Sequence, residues 1–397
     1  MVATTTFGES AVRLEFGDIP SPYFTIEMVV STALENYATF INRTLRVHGF
    51  EAYLVGGCVR DRILGRTPKD FDIATSASPG DIVRLFPGSG LAGAHFGVVL
   101  VRKDDLQVEV ATFRTDGTYS DGRHPDQVEF GAGARADALR RDFTINALFL
   151  DPESGEITDF VDGRQDLRDR LIRAIGDPSA RFAEDHLRML RAVRFAAELD
   201  FTIEPETLAA IQNLAPRIRD VAAERVRLEL ERALPAGGAM LLNESGLAMQ
   251  IFGRRLEFTA RTSHIAVHWA AILLLDGHGA LDDLKIPNRD REWAQALAAN
   301  ANRTNFASLA EHKRLARQAW YPLLRELTGR DLGTFPAAEL HPPPLLTGRD
   351  LQDLGLPPGP LYTRLLTGIE TAQLNGELRS RQDTLDWLKA HATVPDY

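Results

Sequence analysis

The pattern of apolar and polar positions changes once along the chain. In the first part, short apolar runs with the two-residue period of β-strands alternate with turn-forming residues. The predicted strands cover residues 53–55, 71–75, 98–101, 107–113 and 147–151. From Leu167 onward, apolar residues recur at helical intervals almost without interruption. The pattern therefore predicts a mixed α/β unit followed by an all-α region.

Helices and turns are also predicted from local signals. Apolar spacing between Thr32 and His48 indicates a helix that ends at Gly49, and residues 81–86 are predicted as a short helix. The pair Asp104-Asp105 separates two predicted strands, as a hairpin turn does. Breaks between helices are predicted at residues 235–238, 252–253 and 341–344. The N-terminal residues are polar and irregular, and we interpret residues 1–30 as an extension of unknown role.

Composition limits the class of protein. A chain of 397 residues with 44% hydrophobic residues is long enough for two or three domains with real cores. No apolar run is long enough to span a membrane, and no secretory signal is visible. The single cysteine, Cys58, cannot form an intrachain disulfide. We therefore expect a cytoplasmic protein without a membrane partner.

The net charge of -10 argues against broad, nonspecific binding to nucleic acid. An RNA partner would need a local basic face. Arginines crowd the middle of the chain, at positions 164, 168, 170, 173, 181, 188, 191 and 194. Because acidic residues are interleaved with them, a solvated helix surface with many ion pairs is an equally open interpretation.

The most informative segment follows the first strand. It contains Gly56-Gly57, then Asp70 and Asp72 two residues apart. On a strand these two carboxylates point the same way and repel each other unless a cation lies between them, and Mg²⁺ prefers such oxygen ligands. Paired glycines let the backbone approach a polyphosphate closely. Either feature alone is usually a turn or a solvated strand edge, but their order in one short segment favours nucleotidyl or phosphoryl transfer with magnesium.

The spacing G-G-x-V-R-D-x-x-x-G-x-x-x-K-D-x-D, at residues 56–72, resembles the first signature of the class II tRNA nucleotidyltransferase and bacterial poly(A) polymerase family. That family is a branch of the DNA polymerase β-like superfamily. Further segments resemble its later signatures in the same order, at residues 108–114, 137–146, 184–195 and 223–230. A weaker resemblance to the tail of bacterial members covers residues 344–351 and 355–360.

The resemblance implies a fold class and a division of the chain. We expect an α/β nucleotidyltransferase head with a mixed, DNA polymerase β-like sheet, followed by an all-α neck, body and tail. The expected head covers residues 31–160 and the neck, which selects the nucleotide, residues 161–235. The helical body and tail, expected to bind tRNA, cover residues 236–397.

The resemblance also implies an activity. The expected enzyme adds C and A nucleotides to the 3′ acceptor end of tRNA without a template, using CTP and ATP and releasing pyrophosphate. Asp70, Asp72 and Glu109 are the expected catalytic residues and the ligands of two Mg²⁺ ions. An A-only-adding enzyme or a poly(A) polymerase stays open, as does a non-catalytic RNA-binding protein with this fold. The sequence leaves the protein partners undetermined.

Nucleotide contacts are expected from two further groups of residues. Guanidinium and amide side chains suit phosphate and ribose oxygens, and Asp142 and Asn146 would share a face if residues 138–146 were helical. The expected contacts to triphosphate or sugar are Gly56, Gly57, Arg60, Arg141, Asp142 and Asn146. The neck is expected to contribute Asp185, Arg188, Arg191 and Arg194.

Asp185 and Arg188 lie three residues apart on a predicted helix, where the ordinary interpretation is a salt bridge. The resemblance favours base reading, with Asp185 accepting from the amino group that cytosine and adenine share. Glu184 is expected to orient Arg188 or to cap the helix. The turn-rich residues 117–125 resemble the flexible loop that the family uses to switch from C to A, and its expected members are Gly117, Asp121 and Arg123.

Overall fold

The computed structural model describes residues 32–91, 97–117, 128–131, 133–258, 262–276, 279–303 and 305–391. The predicted N-terminal extension lies outside these residues, as do Asp121 and Arg123 of the predicted flexible loop. Gly117 is described, and it is exposed directly after a short strand. The role of this loop in switching from C to A therefore stays a prediction.

The strands of the described residues lie in the predicted head, except for two short strands in the predicted neck. They are β1 (Ala52–Val55), β2 (Asp72–Thr75), β3 (Gly90–Leu91), β4 (Val98–Lys103), β5 (Leu106–Thr112), β6 (Arg114–Asp116), β7 (Val128–Phe130), β8 (Leu148–Leu150), β9 (Ile157–Asp159), β10 (Leu171–Ile172) and β11 (Thr202–Ile203).

The central sheet has the strand order β3-β4-β5-β2-β1-β8-β9. Strands β2 and β5 are parallel, whereas β2 pairs with β1, and β5 with β4, in the antiparallel sense. The sheet is therefore mixed, as predicted. Strands β4 and β5 form the predicted hairpin, and Asp104 in its turn has a positive φ of 52°.

Helices surround this sheet and make up the rest of the described chain. They are α1 (Ala33–Val47), α2 (Gly57–Ile63), α3 (Pro79–Leu85), α4 (Ala134–Leu139), α5 (Gly163–Asp169), α6 (Pro178–Glu184), α7 (Leu187–Leu199), α8 (Pro205–Leu214), α9 (Ala223–Ala233), α10 (Ala239–Glu244), α11 (Leu247–Phe252), α12 (Ile265–Asp276), α13 (Gly279–Asp282), α14 (Asn288–Ala301), α15 (Leu309–Ala316), α16 (Tyr321–Thr328), α17 (Ala337–Leu340), α18 (Gly348–Asp353), α19 (Pro360–Asn375) and α20 (Arg381–His391).

Local capping explains where the first helices begin. Thr32 accepts a hydrogen bond from the Glu35 amide (3.1 Å) and starts α1, as its position in the sequence predicts. Ser78 and Asp81 form a reciprocal capping box at the start of α3. That cap makes α3 begin two residues before the predicted start at 81.

Two elements differ from the sequence prediction near the candidate site. Residues 138–146 are not one helix, because α4 ends at Leu139 and a separate 3₁₀ turn covers Thr144–Asn146. The cause is tertiary: Phe143 forms a β-bridge with Ala174, and the Thr144 amide donates to the Arg173 carbonyl (3.0 Å). Strand β2 begins at Asp72, so Asp70 precedes the strand and does not lie on it.

The head and the helices that follow it share one buried cluster of apolar residues, which includes Leu54, Ile73, Val110, Leu190 and Leu230. A separate cluster under α18, α19 and α20 is built around Leu351, Leu365, Ile369 and Leu388. Each predicted helix break falls between two helices. Within the described residues, none of the helices has the length and apolar character that crossing a bilayer requires.

Candidate active site

Two acidic side chains meet at the centre of the sheet. Asp72 on β2 is the direct register partner of Glu109 on the parallel strand β5. Val108 and Val110 are buried and Glu109 is exposed, so the predicted alternation along β5 is confirmed. Asp70 lies just before β2 and lines the same cleft as the other two carboxylates. The fold therefore brings together the three acidic residues that the sequence singles out.

The electrostatics of Asp72 reflect this crowding. Burial, together with the charges of Glu109 and Asp70, raises the pKa of Asp72 to about 6, although Arg141 partly opposes the rise. A carboxylate with such a raised pKa is short of positive charge in its surroundings. A divalent cation would supply that charge and would hold the carboxylates ionised.

The donor set bears on how a metal could be held. Among the residues that the structure describes, no group of three or more His, Cys, Asp or Glu side chains forms a ready metal cage. Mg²⁺ is commonly bound by one or two carboxylates, with phosphate and water oxygens completing its shell. Asp72 with Glu109 or Asp70 fits this open mode, in which the nucleotide would bring part of the coordination.

The glycine turn forms the wall beside the carboxylates. Gly56 joins β1 to α2 with a φ of 77°, a conformation that glycine adopts at little cost. A Cβ at this position would lie 3.5 Å from Asp72 Oδ2 and 3.7 Å from Arg141 Nη1. Gly56 therefore lies directly against the acidic centre, and its turn exposes main chain to the cleft.

Cys58 is a filler in this turn. Its thiol is buried, and Sγ donates to the Val55 carbonyl (3.2 Å). Burial raises the pKa of Cys58 to about 12, so the thiolate needed by a nucleophile is not formed at neutral pH.

A buried arginine network positions the next predicted residues. Arg60 donates to Asn146 Oδ1 (2.8 Å), and Arg141 donates to the Asn146 carbonyl (3.3 Å). Arg141 also forms an ion pair with Asp137 (2.9 Å), which is 1% exposed. Asp137 forms a second ion pair with Arg140 (2.6 Å). The carboxylate of Asp137 thus fixes two neighbouring guanidinium groups at the cleft. The sequence prediction assigned no role to Asp137.

Asp142 is held by the neck. Its Oδ2 accepts a hydrogen bond from Arg191 Nε (2.8 Å) and forms an ion pair with Arg191 Nη2 (2.6 Å). Burial alone would raise the pKa of Asp142, but the charge and hydrogen bonds of Arg191 hold it at about 2. Asp142 is therefore an anion that locks the head to α7.

Arg191 and Arg194 are engaged with carboxylates of the protein. Arg194 is 2% exposed, pairs with Glu229 (2.5 Å) and Glu198 (3.0 Å), and stacks over Phe195 at 4.0 Å. Arg191 lies 3.8 Å from the same Glu229. Both arginines line the cleft, but these pairs give them a structural part in its wall. A direct contact of either one with a nucleotide stays a prediction.

Asp185 and Arg188 also line the cleft, with partners that the sequence prediction did not name. Asp185 is extended (φ -149°, ψ 106°) between α6 and α7, and is not on a helix. Arg225 on α9 donates to both of its carboxylate oxygens, at 2.7 and 3.2 Å. Arg188 forms an ion pair with Glu184 and donates to the Arg181 carbonyl (2.9 Å). The contact with Glu184 agrees with the orienting role predicted for that residue.

Arg225 is the main functional candidate that sequence reasoning missed. It lies in the segment 223–230 that resembles the last family signature, but nothing in its spacing pointed to Asp185, which is 40 residues away. Arg66, Lys69, Glu198 and Arg232 also line the cleft without having been predicted.

The three predicted catalytic carboxylates and all of the predicted nucleotide contacts line one cleft of about 950 Å³. It is lined by ten basic and seven acidic side chains, so it carries a local positive excess within a chain of net charge -10. Asp70, Asp72 and Glu109 lie on the head side of the cleft, and Asp185 with Arg188 lies on the neck side. This is the local basic face that the sequence analysis required for an RNA partner.

Comparison with known proteins agrees with this architecture. Residues 52–173 match the family described as Poly A polymerase head domain, and residues 200–256 match one described as Probable RNA and SrmB- binding site of polymerase A. The CCA-adding enzyme of Levilactobacillus brevis is 35% identical over 375 residues, covering 86% of this chain and 94% of that enzyme. The chain belongs to the CCA-adding enzyme family.

Two further family members extend the comparison. The Enterococcus faecalis CCA-adding enzyme is 50% identical over 192 residues, which are 48% of this chain and 47% of that enzyme. The crystal structure of the Bacillus stearothermophilus CCA-adding enzyme in complex with CTP has a TM-score of 0.69 and 31% identity, covering 91% of this chain and 98% of that one. The predicted family, fold class and nucleotidyltransferase type are confirmed.

Proposed function

We propose that this chain adds C and A nucleotides to the 3′ end of tRNA, using CTP and ATP without a template and releasing pyrophosphate. The observation that carries the proposal is the register pairing of Asp72 with Glu109 in a cleft that also contains Asp185 and Arg188. One cleft thus offers acidic groups for transfer and a donor and acceptor pair for choosing a base. Membership in the CCA-adding enzyme family supports the same activity.

The proposed reaction is a single displacement. The 3′ hydroxyl of the RNA attacks the α-phosphorus of the nucleotide, a new phosphodiester bond forms, and the bond to the β-phosphate breaks. Bound Mg²⁺ would neutralise the phosphate oxygens and lower the pKa of the attacking hydroxyl. Asp70, Asp72 and Glu109 would hold it and keep the two substrates aligned above β2 and β5. No covalent enzyme intermediate is needed.

Nucleotide binding would use groups that are already fixed. Arg141 is held by Asp137 and Arg60 by Asn146, so these side chains lose little freedom when a triphosphate or ribose arrives. Gly56 and Gly57 leave room for the phosphates beside the carboxylates.

Base selection would rest on Asp185 and Arg188. Cytosine and adenine both present an amino group that can donate a hydrogen bond to a carboxylate, whereas uracil and guanine present a carbonyl at the same place. An unpaired carbonyl opposite Asp185 costs roughly 1–3 kcal/mol in a buried site. Arg188 would donate to the ring acceptors of either accepted base.

Two finer features stay predictions. The first is the cytoplasmic location inferred from the single cysteine. The second is a role of residues 117–125 in switching from C to A.

The direct test uses tRNA transcripts that lack one, two or three of the terminal nucleotides, each incubated with CTP, ATP, UTP or GTP and Mg²⁺. The expected products are two C additions followed by one A, after which extension stops. Addition of A only to transcripts ending in CC would identify an A-only enzyme, and a long A tail would identify a poly(A) polymerase. Binding without any extension would support the non-catalytic alternative.

A further inference from the structure

The cleft extends well beyond the groups assigned to nucleotide and metal. It runs along α7 and α9, with Arg188 and Arg225 at one end and Glu198 and Arg232 at the other. Helices rise about 1.5 Å per residue, so the two ends are separated by roughly 15 Å along α7 and roughly 10 Å along α9. The far end therefore lies outside the reach of a base bound at Asp185.

Two basic side chains contact Glu198 at this far end, and a third, Lys69, lines the same cleft three residues after Arg66. Arg66 and Lys69 are exposed in the loop between α2 and β2, and Arg232 lies near the end of α9. We call these three residues the rim. Lys69 immediately precedes Asp70, so the rim adjoins the acidic centre in the chain.

Glu198 brings the head and neck parts of the rim together. Its carboxylate accepts from Arg232 (2.9 Å), and its carbonyl accepts from Arg66 (3.3 Å). Glu198 is also paired with the buried Arg194 (3.0 Å), so it is a shared partner and does not neutralise the rim. The ion pairs of the described residues do not include Lys69. Among the ion pairs of the described residues, the rim has Glu198 as its carboxylate partner, and Glu198 is shared with Arg194, so the rim keeps an excess of positive charge.

We propose that the rim binds the phosphodiester backbone of the last nucleotides of the RNA substrate. The inference rests on the proposed function, because the RNA 3′ hydroxyl must then reach the carboxylates while the incoming base occupies the Asp185 end. The strand that leads to this hydroxyl has to leave the cleft by the opposite end. There it meets cations that suit phosphate oxygens, beside the half-buried Pro235 and Ala236, which offer apolar surface to a sugar or base.

The side chains of the rim are suited to such a role. Arg232 is 60% exposed in its side chain, so it can turn from Glu198 to a phosphate at little cost. Arg66 makes only a long hydrogen bond to a backbone carbonyl and keeps most of its donors available. The triphosphate, in contrast, would lie against Gly56, Arg60 and Arg141, beside the carboxylate of Asp72.

The test compares Arg66→Gln, Arg232→Gln and the double variant with the wild-type enzyme, using a tRNA transcript that lacks its CCA end. We expect the KM for RNA to rise roughly three- to tenfold in each single variant. The slope of log binding constant against log salt concentration should fall by about 1 per variant. The KM for CTP and the kcat at saturating RNA should stay within about twofold, because a phosphate contact outside the reacting atoms affects RNA binding only.

Arg84→Gln is the matched control. Its side chain is 70% exposed on α3 and pairs with Asp81, so it removes one surface charge on the head away from the cleft. It should leave the KM for RNA and the salt slope unchanged. Thermal melting of each variant checks folding, and Arg66→Gln keeps the test valid should Arg232→Gln unfold.

The outcomes separate this inference from the proposed function. A rise in the KM for CTP with no change for RNA would assign the rim to the triphosphate and overturn the inference. An active wild-type enzyme whose RNA binding is unaffected by both substitutions refutes the rim alone. A wild-type enzyme that extends no tRNA refutes the proposed function.

Discussion

Asp185→Asn should exchange the base preference of the enzyme. Asp185 Oδ1 accepts from both Arg225 and the Leu187 amide (3.2 and 3.1 Å), whereas Oδ2 accepts from Arg225 alone (2.7 Å). In the variant, the amide oxygen should therefore take the Oδ1 position, where two donors converge. The amide nitrogen then replaces Oδ2 and presents donors to the cleft.

The magnitude follows from that exchange. A donor in place of Oδ2 can no longer accept from the amino group of C or A, but it can bond the carbonyl of U or G. One such contact is worth roughly 1–3 kcal/mol, which corresponds to about 5- to 150-fold in the ratio of kcat/KM for CTP to that for UTP. The amide nitrogen would also face the Arg225 guanidinium, which is itself a donor, in place of the oxygen that accepts from it. A modest loss of stability is therefore expected together with the change of base preference.

The assay is single-nucleotide extension of a tRNA transcript lacking CCA, with kcat/KM measured separately for CTP and UTP. Asp220→Asn is the matched control, since Asp220 forms an exposed pair with Arg217 on the neck, and it should not alter the ratio. A ratio that stays within about twofold of wild type in Asp185→Asn, with overall activity retained, would show that base selection resides elsewhere.

Three further outcomes are expected. Asp72→Asn should reduce transfer at least about 1,000-fold, because the variant loses a ligand of the metal. Its melting temperature should be unchanged or raised, because burial and the charge of Glu109 already disfavour the ionised wild-type carboxylate. Near-normal turnover with Mg²⁺ would contradict the assigned role. Asn42→Leu should raise the free energy of unfolding by roughly 1–3 kcal/mol, measured by urea titration. The reason is that the Asn42 amide is fully buried and neither of its polar atoms has a partner among the described residues. A loss of stability would instead indicate that the wild-type amide binds a buried water. Asp142 has its pKa lowered to about 2, so its pairing with Arg191 contributes roughly 2 kcal/mol above about pH 4 that is lost as the pH falls through 2. The stability difference between wild type and Asp142→Asn should therefore shrink over that interval, and a difference independent of pH would refute the ion pair.

The sequence predicts the elements whose determinants are local. The two-residue period placed β1, β4, β5 and β8, and the cap at Thr32 placed the start of α1. The continuous helix considered for residues 138–146 does not form, because the backbone there pairs with Ala174 and Arg173, some 30 residues later. Periodicity within the segment holds no information about those partners.

The same distinction applies to the candidate site. Asp70, Asp72 and Glu109 could be named from two short segments, and the parallel register of β2 and β5 then brings Asp72 beside Glu109. The Asp185–Arg225 pair joins residues 40 positions apart, and the Arg66–Glu198 contact joins residues 132 apart. Such contacts follow only from the packing of α7 and α9 against the head. Sequence reasoning therefore identified the candidates for the chemistry and missed the residues that position them.

The charge distribution reconciles an acidic chain with a polyanionic substrate. Several of the cleft's arginines are bound to carboxylates, as in the series Asp142, Arg191, Glu229, Arg194 and Glu198, which runs from the head along α7 and α9. Arginines fixed in this way form part of the cleft wall, and protein carboxylates already neutralise their charge. They therefore neutralise few RNA phosphates and release few counterions when RNA binds. The cations that remain available are concentrated at the rim. The salt dependence of RNA binding in the cleft should therefore reflect these few side chains and not the ten basic residues that line it.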